Sequence, residues 1–212
     1  MILILVRHGE TRLNRDRLIQ GINDLPLTDT GRAQARASAR ALEEDLPFDL
    51  YSSPVVRAVE TGQVISEVLQ VPLTRLEGLE EADAGHLDGL SGQEMRRRYP
   101  EFAALWDQNP ATAQMPGGEA LTQVQVRAWC AVEWLLSKHP DGTVVAVTHN
   151  FTIQTIVCSV LDMPLNNALR LRPTLGSITR LELCGSKRWL LSLNERGHLQ
   201  SLTPTEHGPF PP

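Results

Sequence analysis

Two histidines directly follow short apolar, β-branched segments, and this placement is the first indication of chemistry in the sequence. The run Leu3-Ile4-Leu5-Val6 leads into Arg7 and His8, and the run 143–148 leads into His149. Such runs predict buried strands, and open α/β sheets bind ligands at the carboxyl ends of their strands. We therefore expect His8 and His149 to face each other across a pocket at one edge of a sheet.

A pair of histidines in this position is compatible with two kinds of site, a metal site and a phosphate site. Together with carboxylates such as Asp24 or Glu81 they could bind a metal ion, although arginines beside the site would oppose a cation. Alternatively the site binds phosphate, because the forked donors of Arg7 and Arg57 match phosphate oxygens. Arg57 follows Ser53-Pro54, which we expect to open a helix whose free N–H groups favour an anion. Each arginine could instead be an ordinary structural residue paired with a carboxylate.

Several blocks of the sequence resemble the signature of the histidine phosphatase superfamily, the phosphoglycerate mutase-like group. The resemblance covers about residues 2 to 198, and the blocks follow the order of the family. They are Arg7-His8-Gly9-Glu10-Thr11, Ser52-Ser53-Pro54-Val55-Val56-Arg57-Ala58-Val59-Glu60-Thr61, the segment 79–89 around Glu81, Pro116-Gly117-Gly118-Glu119, and His149. The phosphate interpretation of the two histidines is therefore favoured.

The resemblance implies a mechanism with a phosphorylated histidine. His8 would be the nucleophile, with Nδ1–H held by a backbone carbonyl and Nε2 free to attack phosphorus. His149, expected to be protonated, would hydrogen-bond the transferring group. Glu81 would protonate the leaving oxygen and then activate water, although Glu80 and Asp83 lie close enough in sequence to leave this assignment open.

The resemblance also implies the residues that bind the phosphate. They are two arginines, three residues that follow the first histidine, and two residues at the second histidine: Arg7, Arg57, Asn14, Gln20, Gly21, His149 and Asn150. Many relatives have glycine at the last of these positions, and the Asn150 side chain could narrow the pocket. No metal ion and no cofactor is expected. We interpret Glu119 as a first-turn carboxylate of the following helix, and Asn194 and His198 as non-catalytic.

The segment 77–118 bears on the reaction that this chemistry would serve. Cofactor-dependent mutases of the family carry a paired-arginine element in their insertion, whereas this insertion is short and its basic run, Arg96-Arg97-Arg98, is placed differently. We therefore predict a phosphomonoesterase of the histidine acid phosphatase type that acts on a small phosphorylated metabolite. A phosphoglycerate mutase is the alternative, and a non-catalytic phosphate-binding relative is a third class.

The predicted strands alternate with helices, which indicates an α/β fold with a mostly parallel sheet flanked by helices. Beyond the two strands that end in histidine, we predict strands at 48–52, 71–76, 177–183 and 189–193. Helices are predicted at 31–45, from Ser53 onward, at 120–138 and to about residue 161, with an irregular loop at 12–26. We expect one domain over residues 1–212, a three-layer sandwich in which the helical insertion 77–118 covers the site.

Composition limits the possible partners. The chain has 212 residues, of which 42% are apolar, and a net charge of −5, which argues against nucleic acid or an acidic membrane as a partner. We expect no leader and no membrane span, because the sequence shows no basic segment before an apolar run and no apolar run of membrane length. Three widely spaced cysteines favour a reducing cytoplasm. A homodimer is left open, and we expect the tail Gly208-Pro209-Phe210-Pro211-Pro212 to be frayed.

Overall fold

The computed structural model describes residues 1–46 and 48–202, and within them a six-stranded sheet lies between two layers of helices. The strands are β1 (Ile2–Arg7), β2 (Asp49–Ser52), β3 (Leu73–Arg75), β4 (Thr143–Thr148), β5 (Ile178–Cys184) and β6 (Lys187–Glu195). Their order is β3-β2-β4-β1-β5-β6. Strands β1 to β4 pair in parallel, and β5 pairs antiparallel with both β1 and β6. The predicted α/β fold with a mostly parallel sheet is confirmed.

The helices of the described residues differ from the prediction mainly near the first strand. They are α1 (Arg12–Arg15), α2 (Asp29–Ala41), α3 (Val56–Leu69), α4 (Gly92–Arg98), α5 (Pro100–Gln108), α6 (Leu121–Lys138) and α7 (Asn150–Val160), with 3₁₀ turns at Glu43–Asp45, Gly85–Leu87, Leu165–Arg170 and Gly197–Leu199. The first part of the predicted loop 12–26 is wrong, because Thr11 and Asn14 form a reciprocal capping box that supports α1. Helix α3 begins after Val55, so Pro54 precedes it.

Alternating side chains of β1 build the core on both faces of the sheet. Leu3 and Leu5 join the apolar cluster formed with α6 and α7. Ile4 and Val6 join the cluster on the opposite face, with α2 and α3. A strand that is buried on both faces reads as a continuous apolar run, which is why this strand was recognisable from its sequence.

The segment 77–118 carries α4 and α5 and packs against the end of the sheet that bears the histidines. Met95, Phe102 and Trp106 belong to one apolar cluster with Ile19 and Phe151. Because Phe151 lies in the first turn of α7, this cluster places the segment 77–118 beside the start of that helix.

The division of the chain into one domain stays a prediction, and the tail 208–212 lies outside the described residues.

The parallel pairing brings three strand ends to one edge. Arg7 pairs with Thr148 in the β1–β4 register, and the N–H of His8 continues the pairing by donating to the Thr148 carbonyl at 3.0 Å. On the other side of β4, the N–H of Ser53 donates to the Val147 carbonyl at 2.9 Å. His8, Ser53 and His149 therefore leave the sheet side by side.

The structure also bears on membrane insertion and on the state of the cysteines. No helix of the described residues is long and apolar enough to cross a membrane. All three cysteines are free, with Cys130 and Cys184 exposed and Cys158 buried.

Candidate active site

The hydrogen bonds of His8 define which ring nitrogen carries its proton. Nδ1 lies 2.7 Å from the carbonyl oxygen of Gly9, and Arg57 Nε donates to Nε2 at 3.2 Å. A guanidinium can only donate, so Nε2 holds the lone pair and Nδ1–H donates to the carbonyl. This is the tautomer that a nucleophilic Nε2 requires. The ring is buried, with 2% of the residue exposed.

The turn after β1 depends on a close approach between two backbones. A Cβ atom on Gly9 would lie 2.3 Å from the carbonyl oxygen of Gly31, in the first turn of α2. Only glycine fits there. The N–H of Gly9 donates to the Thr61 hydroxyl at 3.1 Å, and that hydroxyl donates to the Arg57 carbonyl at 2.8 Å. The chain that carries His8 is thus fastened to both α2 and α3.

Arg57 is buried and bound on three sides within the described residues. Besides the bond to His8, Nη2 donates to the Gly21 carbonyl at 2.7 Å and Nη1 donates to the Asn23 carbonyl at 3.1 Å. A guanidinium has five N–H donors, so donors remain for an anion beside Nε2. Burial lowers the pKa of Arg57 to about 10, and the charge of Glu81 opposes this. The group therefore stays charged at neutral pH.

The two histidines meet as predicted, with ring centroids 5.1 Å apart. Nε2 of His149 lies 2.8 Å from the hydroxyl of Ser53, and its buried Nδ1 has no hydrogen-bond partner among the described residues. Sequence reasoning did not assign Ser53 to the site. Ser53 lies within the family block that contains Arg57, but its place beside His149 follows from the strand order, which sets the end of β2 next to β4.

The protein's own groups disfavour the protonated form of His149 that we expect during phosphoryl transfer. Burial and the charge of Arg57 lower the pKa of His149 well below its ordinary value. Burial, then Arg57 and Arg7, do the same to His8, against the bond to the Gly9 carbonyl. Because a buried imidazolium loses solvation and is repelled by both guanidiniums, the two rings are neutral here.

Glu81 is held at the start of α7 by main-chain donors. Oε1 accepts the N–H groups of Ala82 and Phe151, each at 3.0 Å, and Oε2 accepts that of Asn150 at 3.0 Å. Burial raises the pKa of Glu81, against the charge of Arg57 and these bonds. Asn150, which the resemblance places among the phosphate-binding residues, thus has its N–H engaged by Glu81.

The two neighbouring acids are occupied elsewhere. Glu80 accepts the Gly78 N–H at 2.7 Å, and Asp83 accepts the Gly85 N–H at 2.9 Å. Both stabilise turns of their own segment. Of the three acids, Glu81 is the one whose charge acts on Arg7 and Arg57.

Arg127 of α6 fixes the segment that carries Glu81, and sequence reasoning missed it. Its guanidinium donates to the carbonyls of Gly78, Glu80 and Glu81 at 3.1, 2.8 and 2.8 Å. It also forms two bonds of 2.9 Å with the carboxylate of Glu119. Glu119 is therefore structural as expected, but it precedes the N-cap of α6 and acts through Arg127 rather than in the first turn.

The remaining predicted binding residues surround the end of β1. Arg7 Nη1 donates to the Pro173 carbonyl at 2.7 Å, and burial lowers the pKa of Arg7 to about 10. The Asn14 side-chain oxygen accepts the Thr11 N–H at 3.1 Å, and the Thr11 hydroxyl lies 2.7 Å from the Gln20 side-chain oxygen. The Gln20 Nε2 is buried without a partner among the described residues. Asn14 and Gln20 are thus linked through Thr11.

Asn194 and His198, which we interpreted as non-catalytic, contact the loop 174–176 behind the site. The Asn194 side-chain oxygen accepts the N–H of Thr174 at 2.8 Å, and His198 Nε2 lies 2.9 Å from the carbonyl of Gly176. The N–H of Gly176 bonds to the carbonyls of Arg7 and His8, so both residues support the loop behind the site. Within residues 1–46 and 48–202, no group of three His, Cys, Asp or Glu side chains is suited to hold a metal ion.

The chain belongs to the histidine phosphatase superfamily (branch 1), whose family model matches residues 3–196. It is 29% identical to "Phosphoserine phosphatase 1" of Hydrogenobacter thermophilus over 93% of each chain. It is 30% identical to the "Metal-independent phosphoserine phosphatase" of Arabidopsis thaliana, covering 94% of this chain and 84% of the relative.

Two further comparisons bear on the reaction and on the fold. The chain is 32% identical to "Phosphoglycerate mutase-like protein 4" of Arabidopsis thaliana, covering 94% of this chain and 90% of the relative. The solved structure of Bacillus stearothermophilus YhfR superposes with a TM-score of 0.87 at 30% identity, over 94% of this chain and 99% of the other. The family resemblance of the sequence is confirmed.

Proposed function

We propose that this protein hydrolyses phosphomonoesters of small metabolites through a phosphohistidine at His8. The observation that carries the proposal is the 3.2 Å hydrogen bond from Arg57 Nε to His8 Nε2. It leaves the reactive lone pair of the imidazole facing a guanidinium with unused donors. A phosphate bound to those donors would place its phosphorus beside the nucleophile.

The reaction then proceeds in two displacements. In the first, Nε2 of His8 forms a bond to phosphorus while the bond to the leaving oxygen breaks and Glu81 gives that oxygen its proton. In the second, the Glu81 carboxylate takes a proton from water, and the water oxygen displaces His8 from phosphorus. The raised pKa of Glu81 suits the first role, because a carboxyl that protonates more readily is a more available acid.

His149 acts beside the transferring group rather than on the leaving oxygen. It is neutral in this structure because Arg57 and burial oppose its protonation. A bound phosphate dianion would reverse the local charge and favour the imidazolium. His149 then donates to the phosphoryl oxygens where negative charge accumulates. Arg7, Asn14 and Gln20 complete the predicted phosphate site. Gly21, which was also predicted to bind phosphate, instead accepts a hydrogen bond from Arg57 Nη2 through its carbonyl.

The relatives support hydrolysis without a metal ion. The chain is an enzyme of the histidine phosphatase superfamily, and two of its relatives are named phosphoserine phosphatases. A phosphorylated amino acid is thus one substrate to test. The relative named phosphoglycerate mutase-like keeps the mutase as a second candidate. An acid phosphatase type of activity, a cytoplasmic location and a homodimer stay predictions.

Rapid quench with a phosphate-labelled substrate tests the proposal. The wild-type protein should yield an acid-labile, base-stable phosphoryl adduct, because phosphohistidine has this stability and a phosphate ester of serine does not. The His8→Ala variant should yield none, while it still binds inorganic phosphate. An adduct that persists in His8→Ala would show that another residue is the nucleophile.

A further inference from the structure

The guanidinium of Arg57 is aimed by a loop that has no regular structure of its own. Two of its bonds end on the carbonyls of Gly21 and Asn23. Residues 21–24 belong to neither a helix nor a strand, and Asn23 is exposed. These carbonyls can orient Arg57 toward His8 only if another group holds the loop in place.

Asp88 is the group that holds this loop from the side of the insertion. Its Oδ2 accepts the N–H of Asn23 at 3.2 Å. The N–H of Gly21 also stabilises the same carboxylate. Of the two loop residues that present their carbonyls to Arg57, Asn23 therefore donates its N–H directly to Asp88, and the Gly21 N–H lowers the pKa of the same carboxyl.

The backbone around Asp88 is itself fixed. The residue follows the 3₁₀ turn Gly85–Leu87, whose Leu87 is fully buried. On the other side, the Gly89 N–H donates to the Ile19 carbonyl at 2.8 Å, and the Ile19 N–H donates to the Leu90 carbonyl at 2.8 Å. The Asp88 carboxylate thus starts from a rigid position and is not a mobile surface charge.

The charge of Asp88 also reaches the site. Burial lowers the pKa of Arg57, and the negative charges of Glu81 and Asp88 both oppose that change. For Asp88, partial burial raises the pKa of the carboxyl, against the two loop N–H groups and the charge of Arg57. One carboxylate therefore fixes the loop and compensates the buried guanidinium.

We propose that Asp88 is a positioning residue for phosphoryl transfer. It holds residues 21–23 in the conformation whose carbonyls direct the Arg57 guanidinium at His8 Nε2 and at a phosphate bound there. This role rests on the proposed function of His8 and Arg57, and Asp88 itself contacts neither the nucleophile nor the transferring group.

A double-mutant cycle between Asp88 and Arg57 tests the role. Asp88→Ala should lower kcat/KM for a phosphomonoester by on the order of 10- to 100-fold, because small displacements of an orienting group are costly. In the Arg57→Ala background the same change should cost less than about twofold, since the orienting path is already broken. Asp88→Asn should recover part of the activity, because an amide oxygen still accepts one N–H.

Asp107→Ala is the matched control, an exposed aspartate of the same insertion that pairs with Arg96 instead. It should leave kcat/KM unchanged. If Asp88→Ala does not fold, Asp88→Asn takes its place in the cycle. An equal cost of the Asp88 change in both backgrounds, or no cost in either, overturns the positioning role. Wild-type activity in Arg57→Ala would instead overturn the proposed phosphate site itself.

Discussion

Burial and hydrogen bonding act in opposite directions on the pKa of Glu81, and their balance determines how readily this carboxyl gives or accepts a proton. Burial favours the neutral carboxyl, whereas Arg57 and three main-chain N–H groups favour the carboxylate. The balance raises the pKa of Glu81, so this carboxyl holds a proton more readily than an ordinary glutamic acid. A group with this balance can give a proton in one step and accept it in the next.

Replacing Glu81 should therefore affect substrates according to their leaving groups. General acid catalysis typically contributes about 10²–10⁴-fold, but only where the leaving oxygen needs a proton. Glu81→Gln should be strongly impaired on alkyl phosphates and much less on p-nitrophenyl phosphate, provided that transfer to His8 limits the rate. Steady-state kinetics on both substrates measures this. If dephosphorylation limits the rate, both substrates should slow together and phosphohistidine should accumulate.

The neighbouring acids provide the controls for this experiment. Glu80→Gln and Asp83→Asn should show neither pattern, because each carboxylate is bonded to a turn of its own segment. The assignment of Glu81 fails if one of these variants shows the selective defect and Glu81→Gln does not.

Residue types and spacing predicted which residues the fold brings together but not their states of protonation. His8, His149 and Arg57 were recognisable because they follow strand ends or a helix start in a fixed order. The neutrality of His149 was not, because it depends on burial and on the distance to Arg57 in the folded chain. The bond between the Asn150 N–H and Glu81 was not predicted for the same reason, because only the fold brings Glu81 to the start of α7.

Helix α6 fixes Glu81 through the main chain, because the Arg127 side chain binds the carbonyl of Glu81 and not its carboxylate. From the second turn of α6, Arg127 binds three carbonyls of the segment 78–81 and the carboxylate of Glu119. A segment without regular structure is in this way fastened to a rigid helix.

Loss of Arg127 should destabilise the protein measurably. Arg127→Ala removes both guanidinium bonds to Glu119 and the bonds to three carbonyls, so that the Glu119 carboxylate keeps only the Asp83 N–H among these donors. The pair is partly buried, with side-chain exposures of 23% and 24%. We expect a loss of roughly 2–4 kcal/mol in the free energy of unfolding, between the values for exposed and buried pairs. Urea unfolding monitored by tryptophan fluorescence measures it. Arg96→Ala, which breaks the exposed pair with Asp107, should cost under about 1 kcal/mol, and an equal loss in both variants would contradict the role of Arg127.

At the scale of elements, periodicity located the strands well and the helix ends less well. Strand β4 has the predicted bounds, because an apolar β-branched run is buried on both faces. Helix α1 was missed, because it is four residues long and owes its stability to a capping box rather than to an apolar face. Helix α3 begins at Val56, later than the start at Ser53-Pro54 that we predicted.

The molecule as a whole is acidic, whereas its site is locally positive. The net charge is −5, yet the pKa of His8 is lowered by burial and then by the positive charges of Arg57 and Arg7. A phosphorylated metabolite would therefore be attracted by the pocket and not by the surface field. The same positive charge would repel a metal cation, which is the physical basis for expecting metal-independent hydrolysis.

After metal ions are removed by chelation, the products that the protein forms test metal-independent hydrolysis. The same products distinguish a phosphatase from a mutase and from a non-catalytic relative. After exhaustive chelation, the protein should release inorganic phosphate from phosphoserine or another small phosphomonoester at an unchanged rate, because guanidiniums supply the positive charge. On phosphoglycerates, release of phosphate should exceed interconversion of the two monophosphates in the same preparation. A loss of rate that a divalent cation restores would favour the two-histidine metal site. Faster interconversion than phosphate release would establish the mutase, and phosphate binding without turnover of any ester would establish a non-catalytic relative.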